Sequence, residues 1–230
     1  MIEQSTEKIN VYLETGKKRI FAGAIEWPGW CRSGRNEDAA LRALCEYGLR
    51  YASVLRSAQL EFQSPADTSA FAVIEWLEGD ATTDFGAPGK TPSSDIRRVD
   101  DADLRRFQDL LKACWQAYDA AASTATGKEL HKGPRGGGRN LEGIVQHVLG
   151  ADAGYLTRLG GKLEKGQEDD LGEELGQSRQ AILDALASAA RGEVPAQGSR
   201  GGARWTPRYF VRCVAWHILD HAWELEDRIP

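Results

Sequence analysis

Two histidines four residues apart on one long helical stretch constrain this chain more than any other feature. The stretch is TPRYFVRCVAWHILDHAWELEDR, Thr206 to Arg228. Pro207 falls in the first turn, where a proline is tolerated, and no helix breaker follows until Pro230. At about 100° per residue, His221 lies within roughly 40° of His217, one turn further on. That spacing lets two imidazoles meet one metal ion. Phe210, Val214 and Glu224 share the histidine face, with Ile218 and Leu225 on one flank and Trp216 and Trp223 on the other. The histidines therefore point along an apolar stripe rather than into water. Two buried imidazoles with unfilled nitrogens cost free energy unless something satisfies them. A third histidine and a metal would do so.

The chain has 230 residues, 41% hydrophobic and 27% charged, enough for one large core or two small ones. The net charge is −5. Residues 1–95 hold 10 basic and 14 acidic residues and the remainder 19 and 20, so neither half is basic and no nucleic-acid partner is expected. Cys31, Cys45, Cys114 and Cys213 form no CxxC and no disulfide-like spacing, which reads as reduced thiols in a cytoplasmic protein. The polar N-terminus carries no signal-peptide pattern, and no apolar run approaches the roughly 20 residues of a membrane span.

Residues 9–26 predict a hairpin: INVYLE and RIFAGAIEW are rich in apolar and β-branched residues, with the turn signal Thr15-Gly16 between them. Trp27-Pro28-Gly29-Trp30 breaks the second strand. Asn36 caps a helix whose face of Leu41, Leu44, Cys45, Gly48, Ala52 and Leu55 runs to about Arg56. Two more short strands are expected near 58–63 and 70–77. Residues 79–99 are rich in Gly, Pro, Ser, Thr and Asp. The expected organisation is α+β in two domains: a small N-terminal α/β domain over 1–80, a linker over 81–99, and a helical domain over 100–230.

Glu26-Trp27-Pro28-Gly29-Trp30, the turn Ser33-Gly34, and Asn36-Glu37-Asp38-Ala39-Ala40 opening the helix make the first domain similar to HicB-like small domains. That resemblance implies an antitoxin or an assembly module. The plainer reading is a packing or dimerisation domain, which makes a homodimer one expected assembly. No DNA-binding segment accompanies it.

From Asp100 onward the apolar spacing is helical. Leu104, Phe107, Leu111, Cys114, Trp115 and Tyr118 mark a first helix, and Asn140 caps a second over 141–160 that carries His147. A third spans about 170–191, with Leu171, Leu175, Ile182 and Leu186 inward. With the last stretch these make a four-helix bundle. In the second helix Gly143, Gly150, Gly154 and Ala151 all fall within about 60° of His147. A histidine among almost no side chains means either a very close neighbouring helix or open space.

One His in the second helix of a bundle and His-x-x-x-His in the last resembles the DinB/YfiT-like superfamily over about residues 100–228. The strings that carry it are Ile144-Val145-Gln146-His147-Val148 and His217-Ile218-Leu219-Asp220-His221-Ala222-Trp223-Glu224. The resemblance implies a divalent transition metal on His147, His217 and His221, with positions left for water or substrate. Zinc and nickel are the first expectations, with iron or manganese as further choices, because imidazole suits all of them. It also implies a small-molecule substrate and, most concretely, a thiol S-transferase using bacillithiol or mycothiol, or a related hydrolase. The added N-terminal domain and the long Gly-rich loops depart from the family pattern. The alternative is a non-catalytic metal- or ligand-binding protein that signals or associates through its HicB-like domain.

Glu224 lies one turn beyond His221 on the ligand face and is the candidate catalytic side chain. It can accept an imidazole N–H, act as general base on bound water, or serve as a fourth ligand. An ion pair with Arg228 at i+4 is the plainer alternative. Arg135 and Arg139, with His131, sit around a glycine-rich loop that runs into a helix N-terminus. Such a loop can hold the carboxylates or phosphate of a thiol cofactor, or simply connect two helices. Arg208, beside Trp205 and Tyr209 at the start of the last helix, is the remaining candidate cofactor contact, at a pocket mouth.

Overall fold

The computed structural model describes residues 8–133, 138–163, 170–198 and 202–230. The chain divides into two compact units, Met1–Ile96 and Arg97–Pro230.

The first unit is a four-stranded sheet with helices on it. β1 (Ile9–Thr15) and β2 (Ile20–Ala24) form the expected antiparallel hairpin. The Trp27–Trp30 turn then brings the chain back as β3 (Cys31–Gly34), antiparallel to β2. Cys-Arg-Ser-Gly has no β-branched residue, so only its pairing with β2 reveals it as a strand. Asn36 caps α1 (Glu37–Glu46) by accepting from the Ala39 N–H. The single helix expected to Arg56 is broken at Tyr47, and α2 (Gly48–Arg56) follows. β4 (Phe71–Glu78) lies parallel to β1 and gives the sheet order β3-β2-β1-β4.

No strand forms at 58–63. Its apolar residue Phe62 is instead a plug, edge-on to Trp27, Trp30 and Tyr51 at ring distances of 5.0, 4.9 and 5.2 Å. Trp30 is fully buried, stacks on Tyr51 at 5.8 Å, and donates its indole N–H to the Leu44 carbonyl. The hydrophobic signal at 58–63 is real, but it reports core packing rather than strand pairing.

The stretch expected as a linker carries structure of its own. α3 (Ala81–Phe85) is closed by a capping box on Asp80. Behind it the chain is tied to the sheet by the buried Glu14 carboxylate. That carboxylate accepts from the Thr83 hydroxyl at 2.5 Å and from the Gly89 and Lys90 N–H groups at 3.0 Å. The Ser93 N–H and hydroxyl both donate to Glu75 on β4. Residues 81–96 thus belong to the first unit. Their Gly-Pro-Ser-Thr composition serves turns and caps here.

The second unit is the four-helix bundle: α4 (Asp101–Ala125), α5 (Leu141–Leu159), α6 (Leu171–Ala190) and α7 (Pro207–Arg228). Asp100, Asn140, Asp170 and Thr206 each cap their helix through a side-chain oxygen. α7 packs most extensively on α4 and also on α5, while α5 packs on α6. From Tyr209 to Leu219 every residue of α7 is buried, so this helix has no solvent face along that run and carries the core. No disulfide joins the four cysteines. Among the described residues no helix is long and apolar enough to cross a membrane.

A candidate metal centre in the helical unit

α5 and α7 bring His147, His217 and His221 together. One ring nitrogen of each lies within 4.8 Å of the other two, and the ring centroids are 4.6 to 5.1 Å apart. His217 Nε2 faces His147 Nε2 at 3.2 Å. Two imidazoles on one tetrahedral metal, each about 2.0–2.1 Å from it, hold their nitrogens about 3.3 Å apart, so this separation fits.

The protonation pattern fits as well. Burial pushes the His217 imidazole down to about 3, with the neighbouring His221, His147 and Arg139 adding to the effect. Burial also lowers His147, again with help from His221 and Arg139. Both rings are therefore neutral at ordinary pH, as metal ligands must be. At most one hydrogen can lie between two facing Nε2 atoms, and neutral rings supply lone pairs there that a cation would meet. His217 Nδ1 is buried and has no hydrogen-bond partner among the described residues.

The third ring is oriented from behind. His221 Nδ1 lies 2.8 Å from Glu224 Oε2, and the other oxygen of Glu224 accepts from Arg228 at 2.6 Å. A carboxylate on Nδ1 fixes the tautomer with the proton there and leaves Nε2 bare. The His221 hydrogen bond is the main cause holding the Glu224 carboxyl below its ordinary range, and Arg228 contributes.

Beyond its first turn the glycine face of α5 is open rather than crowded. A Cβ placed at Gly150 or Gly154 would meet no described atom within 4 Å. Beside it stands an aromatic run: Tyr155 lies edge-on to His217 at 5.7 Å, Trp205 packs on Tyr155 at 5.5 Å, and Tyr209 on Trp205 at 4.8 Å. Tyr155 is eight residues from His147, about 80° around the helix, and that spacing was the available signal for it.

The basic candidates separate. Arg139 is exposed at the N-terminal end of α5, and its charge acts on both His147 and His217. Arg208 lies nine residues before His217, about 13.5 Å along the helix. Its guanidinium donates to the Arg97 and Arg98 carbonyls, pairs with Asp103 and lies over the Phe107 ring. It ties the start of α7 to the start of α4. Arg135 lies outside the described residues.

One interior group was missed in the sequence. Asp152 on α5 is 4% exposed, and burial pushes its carboxyl up to about 7. It sits four residues after Val148 and four before Leu156, on the apolar stripe, and that placement marks it as buried.

Comparison with curated proteins and with solved structures found no match. The family model of the DinB superfamily matches residues 110–225, from within α4 to the last turns of α7, and takes in all three histidines. On that match and this architecture, the chain belongs to the DinB superfamily.

Proposed function

We propose that the helical unit holds a divalent transition metal on His147, His217 and His221 and uses it on a small-molecule substrate. The superfamily is typically metal-binding, with an enzyme-like fold. The observation that carries the reading is the pair of neutral Nε2 atoms facing each other at 3.2 Å, with a third ring beside them whose Nδ1 is engaged by Glu224. Zinc or nickel suits this set first, and iron or manganese next. When bound, the metal supplies Lewis acidity that makes a thiolate or hydroxide available near neutral pH.

The chain's own residues do the rest. Burial keeps His217 neutral. Glu224 spends one oxygen on His221 and the other on Arg228, so its part is to orient a ligand rather than to shuttle a proton. The open glycine face of α5 leaves room for a substrate, and Tyr155 and Trp205 supply an aromatic wall. The most concrete activity is transfer of a low-molecular-weight thiol of the bacillithiol or mycothiol type, or a related hydrolysis. Arg139, exposed and near enough for its charge to act on His147 and His217, is our candidate to meet a carboxylate of such a thiol.

Elemental analysis of untagged protein purified without chelator, beside His217→Ala, tests the reading. About one equivalent of transition metal, lost in the variant, is expected, and a thiol-transfer screen follows. No uptake by either protein, even after reloading with zinc, nickel, manganese and iron(II), overturns it.

One observation favours a second reading. Among the described residues β4 has no strand on its outer edge, and Ile74 and Trp76 on it are 52% and 60% exposed. Such an edge invites pairing. The first unit then serves as a HicB-like association module, most simply with a second copy of the chain. Sedimentation of the wild type beside Trp76→Lys separates this reading from a monomeric enzyme.

A further inference from the structure

Arg228 is a charged side chain in the last turn of α7, where such residues ordinarily sit in water beside the helix dipole. Here it is only 6% exposed. A buried guanidinium is tolerated when its donors are used, and these are spread over three separate pieces of chain. Nε donates to the His131 carbonyl at 2.7 Å, and one terminal nitrogen to the Arg139 carbonyl at 2.9 Å. The other donates to Glu224 Oε1 at 2.6 Å. The backbone closes the arrangement, with the His131 N–H donating to the Arg228 carbonyl at 2.8 Å. His131 and Arg139 are two points eight residues apart within the connection between α4 and α5.

Gly138 belongs to the same arrangement. Its φ is +147°, and a Cβ there would lie 2.4 Å from an Arg228 terminal nitrogen. Glycine suits that φ, and any Cβ there would push the guanidinium off its hydrogen bonds.

Glu224 links the cluster to the histidines, since the carboxylate that accepts from Arg228 also engages His221 Nδ1. The superfamily match ends at residue 225, so it does not extend to Arg228.

We propose that Arg228 is a positioning residue that fastens two points of the α4–α5 connection to His221, so that the backbone at His131 and Arg139 and occupancy of the metal site are energetically coupled. The inference rests on the three-histidine reading. Coupling of this kind is reciprocal: if Arg228 strengthens metal binding by holding Glu224, metal binding must steady the Arg228 contacts by the same factor. A lysine cannot substitute, because one ammonium on a flexible stem cannot span two carbonyls and a carboxylate.

The test uses the full chain and zinc. Zinc affinity is measured against a competing chelator for wild type, Arg228→Gln, Arg228→Lys and Gly138→Ala, and exchange of the His131 amide is followed with and without zinc. Arg228→Gln is expected to bind zinc about 10–100-fold more weakly, as loss of a ligand-orienting partner does. Arg228→Lys does not restore it. Gly138→Ala weakens binding too, although it removes no titratable group. Zinc slows exchange of the His131 amide in wild type and not in Arg228→Gln.

Wild-type zinc affinity in a folded Arg228→Gln overturns the proposal, as does a His131 amide in wild type that is indifferent to zinc. If Arg228→Gln fails to fold, Gly138→Ala and the wild-type exchange decide. A wild type that takes up none of zinc, nickel, manganese or iron(II) condemns the metal reading itself, whereas a loading wild type with an unaffected variant condemns only the coupling.

Discussion

Ser178 on α6 donates its hydroxyl hydrogen to the Asp152 carboxyl on α5 at 3.3 Å, and both side chains are buried. Burial dominates the Asp152 titration, raising it from 3.8 to about 7 against the opposing effects of Ser178 and Arg179. Between those values the folded chain holds a proton that the unfolded chain has released. The folded state is therefore favoured at low pH, and that contribution is lost as pH rises from about 4 to 7, levelling above it. The full displacement is worth at most about 4 kcal/mol. Asp152→Asn removes the titration, so it should gain on wild type in urea-melt stability as pH rises from 5 to 8. Parallel stability curves for the two proteins would refute this.

Glu224→Gln keeps an acceptor for His221 but loses the charge that Arg228 and the imidazole N–H both meet. It should still bind one equivalent of metal, about 10-fold more weakly. Complete loss of metal from a folded variant would instead make Glu224 a ligand.

Gly150 and Gly154 lie in open positions of α5 with ordinary helical backbone. Alanine at each should stabilise the helical unit by about 1 kcal/mol through helix propensity alone. Calorimetry checks the gain. A destabilised Gly150→Ala would mean that something occupies the space beside it.

Glu14 collects the Thr83 hydroxyl and two backbone N–H groups in a buried position. Glu14→Ala leaves those donors facing nothing, at a cost of about 1–3 kcal/mol. Residues 86–92 should then become the first site of limited proteolysis. If the cleavage pattern matches wild type, Glu14 does not hold this segment.

The bundle was legible because its helices obey local rules. Asp100, Asn140 and Thr206 are side-chain caps, and His217 and His221 declare their shared face by spacing alone. His147 stood out by the glycines that surround it on its helix face, and the resemblance tied it to the pair on α7. The first unit was less legible because its signals are tertiary. Phe62 looks like a strand residue and is a plug among aromatic rings. Cys31–Gly34 looks like a turn and is a strand by virtue of β2. Residues 81–96 look like a linker because caps and turns use the same polar residues that linkers do.

The placement of β1 has a consequence for how the chain is made. Its hairpin partner β2 is only a few residues away, but its parallel neighbour β4 begins at Phe71. A ribosome therefore releases β1 and β2 long before the second neighbour of β1 exists, and the Glu14 carboxylate waits until Lys90 has emerged for its last donor. Closing so long a loop is slow compared with forming a hairpin. During that interval one edge of β1 stands open on the nascent chain and is exposed to mispairing, although in the finished sheet β1 is an interior strand.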